Sequence, residues 1–360
     1  MNLELQDVDD LCTGAAFLGA GGGGDPHIGG LMVKQQLRAG RRIEIVDPDT
    51  LADDALVMPT AMMGAPTVLL EKIPSGEEPL RALRCVEEAL GRRATATMPT
   101  EVGGINSTIP LYVGARLGLP VVDADGQGRA FPELQMETFA IEGVACTPMG
   151  IADEKGDYAT ICTDDPHRME WIARGITIRC GGVAYFSNYP MSGAEVRRAS
   201  VKHTLTLARR IGHIIRTARS RRQDPFEELE AFIATTSYGA ARRIFSGKVV
   251  DLDRQTLEGF TRGAVTIAPD RGPGRPCVIT FQNENLVARA GGDLLALVPD
   301  IITVLDVETA VPITNETLRY GQRVMVMAVR VPEIMRSPAA LRQFGPAAFG
   351  LDEIYEPLAL

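Results

Sequence analysis

The chain is poor in the residues that build metal centres. It has only four histidines, at 27, 167, 203 and 213, and none lies in a His-x-His or His-Glu-x-x-His arrangement. Its six cysteines, at 12, 85, 146, 162, 180 and 277, form no Cys-x-x-Cys. That argues against a structural zinc site and fits reduced thiols in apolar stretches. Aromatic residues make up 5% of the chain, with a single tryptophan. Basic residues are outnumbered, and the formal charge is −9. A nucleic-acid surface needs a basic stripe, so no nucleic-acid partner is expected. The local exception is Arg209, Arg210, Arg216, Arg219, Arg221 and Arg222. They read as one basic helix face, solvated or paired with the chain's own acids. No apolar run reaches the ~18 residues that span a bilayer. The first residues lack the basic and apolar regions of a secretory signal. A cytoplasmic protein with no membrane partner is the expectation.

What the chain does have is glycine next to acids. Asp7 to Leu18 shows helical spacing with Asp7 as its cap, and Leu31 to Leu37 shows it again. Between them runs Gly19-Ala20-Gly21-Gly22-Gly23-Gly24-Asp25-Pro26-His27. Four successive glycines are entropically costly and persist where the backbone approaches something closely or takes positive φ. The loop follows a helix and not a strand, which counts against a dinucleotide fingerprint, and no Gly-Lys-Ser/Thr comes after it, which excludes a P-loop. It is either a cradle for an anion or carbonyl, or a tight turn between helices. Further on, Glu101, Asn106, Asp123, Asp125, Arg129, Glu133 and Gln135 crowd one stretch broken by glycine and proline. The alternatives there are a polar small-molecule site and a solvated loop with an Asx-turn.

Strands at Arg42–Pro48, Ala55–Thr60, Thr95–Thr100 and Pro120–Val122 alternate with helices at Pro79–Leu90 and Ile109–Leu117. The stretch Ala61 to Pro66 reads as a loop. This alternation predicts an α/β domain with a mostly parallel sheet. Ligands of such sheets bind at the carboxyl ends of the strands. Glu101, Asn106, Asp123, Asp125 and Arg129 are therefore expected to converge. After about residue 150 the pattern becomes β-rich, first at Gly156–Cys162, with the domain boundary near residue 165. Strands are read at Ile176–Phe186, one long helix at Gly193–Thr217 with a break near Gly212, and a helix at Phe226–Thr235. Short strands from residue 247 onward suggest a barrel or sandwich. The expected division is 1–165, an α/β domain, and 166–360, a β-rich domain with a helical insertion.

The runs Phe17 to Pro26, Glu101 to Asn106, Val122 to Met136, Phe260 to Gly263, Phe281 to Leu286, Pro299 to Ile302, Arg319 to Gly321 and Phe349-Gly350 follow in order. In them the chain resembles the bacterial and fungal family named for S-methyl thiohydantoin desulfurase, once filed as a domain of unknown function. The resemblance covers nearly the whole chain. It implies an α/β domain followed by a β-rich domain. It also implies hydrolytic attack on a five-membered cyclic ureide or its sulfur analogue. Members stand beside hydantoinase or oxoprolinase subunits, so a non-catalytic partner or binding subunit is the alternative, and a homo-oligomer is a further option.

Such hydrolysis needs an activated water or nucleophile, a donor for the developing anion, and a group to handle the leaving thiolate or amine. Glu101, Asp123, Asp125 and Glu133 are the candidate bases. Arg129, Asn106 and the backbone of Gly22, Gly23 and Gly24 are the candidate anion donors. Gln135 and Asn106 suit ring N–H and C=O groups. Gln282, Asn283 and Glu284, ahead of Asn285, are expected at the mouth of a cleft between the halves, or else form a polar turn. Cys146 and Cys162 are the thiol candidates. The cofactor is left open, with a divalent metal on Asp25 and His27 beside acids 123 and 125 as the arrangement to examine.

Overall fold

The computed structural model describes residues 1–65, 68, 72, 74–257, 260–270 and 274–359; the side chains of 219, 256 and 257 are also outside the description. Pro66, at the end of the expected loop, and the Arg219 side chain therefore lie outside the described residues.

The first helix, α1 (Leu5–Leu18), starts before Asp7. Glu4 is its cap, and Asp7 sits one turn in, accepting the Glu4 N–H at 3.0 Å in a reciprocal capping box. The glycine loop leads into α2 (His27–Arg38). The first sheet is built from β1 (Ile45–Val46), β2 (Leu56–Gly64), β3 (Ala96–Pro99) and β4 (Val121–Val122), with α3 (Glu78–Leu90) and α4 (Ile109–Leu117) as crossovers. Next come β5 (Ala124–Asp125), α5 (Thr138–Ile141), β6 (Met149–Ala152), β7 (Tyr158–Ile161), α6 (Pro166–Arg179), β8 (Val183–Ser187) and β9 (Met191–Ser192). The strand order is β1-β4-β3-β2-β8-β6-β7, with β9 also against β2. The sheet is mixed. β1, β4, β3 and β2 are parallel, as the helical crossovers require. β8, β6 and β7 are added antiparallel.

Two sequence expectations are corrected here. Residues 61–64 are strand, because they pair with Val183–Phe186 from far along the chain. Residues 176–179 are helix, because α6 is set by Asp165, whose side chain accepts the His167 N–H, and by Pro166 at the first helical position.

The expected long helix is also two helices. α7 (Gly193–Ala199) ends where β10 (Val201–Lys202) pairs with β5, and α8 (Thr204–Arg221) follows. Gly212 does not break α8. It lets α8 lie against α1: a Cβ there would fall 1.8 Å from the Asp10 carbonyl oxygen, and one at Gly14 would fall 1.7 Å from that of Ala208. After α9 (Pro225–Ile233) comes a curled antiparallel sheet of β11 (Ala241–Leu257), β12 (Phe260–Pro269), β13 (Cys277–Gln282), β14 (Glu284–Ala290), β15 (Asp293–Leu297), β16 (Ile301–Asp306) and β17 (Arg323–Val329). Its order is β15-β14-β13-β12-β11-β17-β16. β13 alternates buried and half-buried residues, the period of a strand with one face on a core. No helix of the described residues is long and apolar enough to cross a membrane.

Arg129 joins the two halves. It is fully buried. Its Nη1 donates to the carbonyls of Pro299 and Asp300 at 2.9 and 2.8 Å, Nη2 to that of Asn285 at 3.3 Å, and Nε to that of Ala130 at 3.0 Å. The Phe131 ring lies 4.7 Å beneath the guanidinium. Arg129→Met would leave these buried carbonyls unpaired. It is expected to lower unfolding free energy by roughly 3–5 kcal/mol in urea titration. Arg129→Lys should recover only part, since an ammonium cannot fork across carbonyls from several segments.

Candidate active site

At the carboxyl end of β3 the chain turns sharply, and Thr100 and Glu101 enter the interior beside the turn between β13 and β14. A chamber of about 50 Å³ opens there, lined by Glu101, Asn106, Gln127, Glu133, Asn283 and Glu284 among its polar groups. Gly23, Arg174 and the apolar Met62, Phe131 and Phe186 complete much of the wall. At ~10–15 Å³ per water, this is room for about four waters, or one small ring.

Two carboxyls dominate the chamber, and each has one oxygen fixed and one left over. Glu101 Oε1 accepts the Asn106 amide N–H at 2.6 Å, while Oε2 has no partner among the described residues. Asn106 is itself held by one residue of β2: its Oδ1 accepts the Met62 N–H at 2.7 Å and its Nδ2 donates to the Met62 carbonyl at 2.9 Å. Its hydrogen bonds are committed to the protein, so it positions Glu101. Glu284 Oε1 accepts the Gly23 N–H at 3.1 Å, and Oε2 again has no partner among the described residues. Burial, reinforced by Glu284, holds the Glu101 carboxyl well above its usual range. Burial pushes Glu284 up to about 8, with the Arg129 charge pulling the other way.

The expected convergence is partial. Gly23, Glu101, Asn106, Glu133, Asn283 and Glu284 line the chamber. Asp123, Asp125, Arg129, Gly22, Gly24, Gln135 and Gln282 do not. Asp123 opens α8, accepting the Thr206 N–H at 3.0 Å and the Thr206 hydroxyl. Asp125 is buried beneath the loop and accepts the N–H groups of Val102, Gln127 and Gly128 on one oxygen. Burial still raises it to about 7. Arg129 is the clamp described above. Gln135 donates to Glu133 and faces a neighbouring trench. Asn283 makes the β13–β14 turn at φ +57°, its Oδ1 accepting the Thr261 N–H at 2.7 Å.

The glycine loop is packed, with only Gly23 on the chamber wall. A Cβ at Gly22 would sit 2.2 Å from Glu284 Oε1, and one at Gly23 2.8 Å from the Gly103 carbonyl oxygen. Asp25 and His27 lie in a separate cleft with Asp9 and Cys12, and Asp25 accepts the His27 N–H at 2.8 Å. They do not meet acids 123 and 125. Among the described residues no three His, Cys, Asp or Glu side chains gather as a metal would need. Cys146 is buried, with its thiol pushed up to about 11 by burial, and Cys162 is exposed; neither lines the chamber.

Sequence reasoning missed Glu137 and Arg174. Glu137 is fully buried, neither oxygen has a partner among the described residues, and burial followed by Glu101 and Asp125 raises it well above its usual range. It continues the acid-rich run past Gln135, which was the available signal. Arg174 donates to Glu170 at 2.6 Å and to the Pro132 carbonyl at 3.0 Å. It was hidden because the end of its helix reads as a strand.

Residues 6–163 match the family described as S-Me-THD-like, N-terminal domain, and residues 164–358 match S-Me-THD-like, C-terminal domain. A crystal structure of a protein from Chromobacterium violaceum is similar over 100% of both chains, with 27% identity and a TM-score of 0.81. No curated protein matches.

Glu284 moves from 4.5 to about 8 on folding, and Asp125 from 3.8 to about 7. Both hold their protons longer folded than unfolded. Their contribution to stability is complete below about pH 4 and is lost as pH rises toward 8. Glu284→Gln should therefore gain stability relative to the parent as pH climbs from 4.5 to 8, by on the order of a few kcal/mol. Melting curves across that window test this. Parallel pH dependence in the two proteins would mean that Glu284 is not held neutral.

Proposed function

The chain belongs to the S-Me-THD-like family, and from that premise we propose that it hydrolyses a small cyclic ureide or an S-methyl thiohydantoin by activated-water attack. The observation that carries this reading is the pair Glu101 and Glu284, each with one oxygen anchored and one unpartnered, in a chamber of ring size. Acid–base hydrolysis needs one carboxyl that gives a proton and one that takes it. Glu284, at about 8 with the Arg129 charge offsetting part of its burial, is assigned the base. Glu101, which burial and then Glu284 hold well above its usual range, is assigned the acid.

On an S-methyl thiohydantoin, the Glu284 carboxylate removes a proton from water. The water oxygen bonds to the ring carbon that carries sulfur, and Glu101 protonates the ring nitrogen. The carbon–sulfur bond then breaks as the new hydroxyl gives its proton back to Glu101 and becomes the ring carbonyl, and methanethiol leaves with the proton returned by Glu284. With a cyclic ureide the same addition ends in cleavage of the ring carbon–nitrogen bond. The apolar wall of Met62, Phe131 and Phe186 keeps bulk water away, which strengthens both charges' effects.

Turnover by the purified chain is measured as methanethiol release and as ring opening of hydantoin. Glu101→Gln and Glu284→Gln are each expected to lower kcat/KM by roughly 10²–10⁴. The parent's rate should rise with pH through about 8, and Glu284→Gln should lose that rise. Full activity in both variants would sink the carboxyl pair.

A further inference from the structure

The chamber of about 50 Å³ holds a ring and little else, yet a second cavity of about 1070 Å³ lies next to it. Glu133 and Arg174 line both, so these two side chains stand between the inner carboxyls and the larger space. The larger space is a trench along α6, floored by Trp171, Ile172, Ile176, Ile178 and Phe260.

Two details separate this trench from an ordinary exposed helix face. Trp171 and Ile178 are 65% and 53% exposed, and lie seven residues apart on one stripe of α6. Trp171 is nevertheless held in place, with the Arg168 guanidinium 4.2 Å over its ring. Between them on the same stripe is Gly175, an interior helical glycine, which costs about 0.5–1 kcal/mol relative to alanine. Packing does not require it: a Cβ there would meet no atom of the described residues within 4 Å. Its absent side chain keeps the middle of the trench open.

We propose that the trench along α6 is a subsite for an extended apolar substituent on the ring held by the inner chamber, an inference that rests on the ring-hydrolase reading. The inner chamber selects the ring by hydrogen bonding, and α6 selects what the ring carries. The substrate class is then a cyclic ureide or thiohydantoin bearing an aromatic or long alkyl group.

Trp171 is the chain's only tryptophan, so its emission reports on the trench without a label. Two probes are compared by calorimetry and fluorescence: hydantoin, and hydantoin with a benzyl group on its ring carbon. The benzyl form is expected to bind roughly tenfold or more tightly, the gain from burying one phenyl ring. It should also shift Trp171 emission, which hydantoin leaves unchanged. Gly175→Leu fills open space and should keep the parent's melting temperature. It is expected to cancel both the affinity gain and the emission shift while leaving hydantoin binding intact. Equal affinity for the two probes with silent emission overturns the subsite and leaves the chamber reading standing. Suppose hydantoin fails to bind while the benzyl probe still shifts emission in a manner lost in Gly175→Leu. The ring reading then falls and the trench stands as a site for apolar groups. Emission that follows protein concentration, with dimers in solution, makes the trench a contact between copies and overturns the proposal.

Discussion

The architecture depends on one buried positive charge. Arg129 comes from the loop after β5, yet the carbonyls it holds belong mostly to the β14 and β16 entries of the other half. A guanidinium out of water is tolerated only when its donors are satisfied in a fixed geometry. Satisfying them fixes where the two halves meet. Burial lowers its affinity for a proton to about 10, so it remains charged at neutral pH. That charge is the main counterweight to the burial of Glu284. The same residue therefore sets the position of the chamber wall and the electrostatics of one of its two carboxyls.

The glycine loop follows from that meeting. With the halves fixed, the loop must pass between Glu284 on one side and Gly103-Gly104 on the other. Gly23 contributes its N–H to Glu284 and its carbonyl to the Ile105 N–H at 3.0 Å. Ala20 and Gly21 accept main-chain bonds from Asn285 and Asn315, at 2.7 and 2.8 Å. The loop is a seam between the halves. Its polar backbone meets the ladder of the second sheet's turn directly, which leaves no space for side chains at Gly22 or Gly23.

Much of this was legible in the sequence, and the failures have specific causes. Local periodicity found α3, α4 and the later strands, because their apolar residues repeat at helix or strand spacing. Family-like runs located Glu101 and Glu284 although 183 positions separate them. The extension of β2 through Gly64 was not legible, since its partner β8 is remote in sequence. Asp123, Asp125 and Arg129 looked catalytic because acids and arginine among glycines look alike whether they bind a ligand or cap the chain's own backbone. Only the hydrogen bonds distinguish the two: Asp123 serves α8, Asp125 serves three loop N–H groups, and Arg129 serves carbonyls. Glu137 carried only its place at the end of the acid-rich run and Arg174 no local mark, because burial and juxtaposition are tertiary properties.

The pairing of β8 with β2 also bears on how this chain can be inherited. The family's two parts divide between residues 163 and 164, but β8 lies beyond that point and still supplies the antiparallel neighbour of residues 60–64. A fragment ending at the division would keep β2 and lose its partner. The segment Thr60-Ala61-Met62-Met63 would then become an uncovered apolar edge, ready to pair with any other chain. Gene fission or domain shuffling at this boundary would expose such an edge at once. A break in the chain at that point leaves β2 covered only where the second part stays at hand to supply β8.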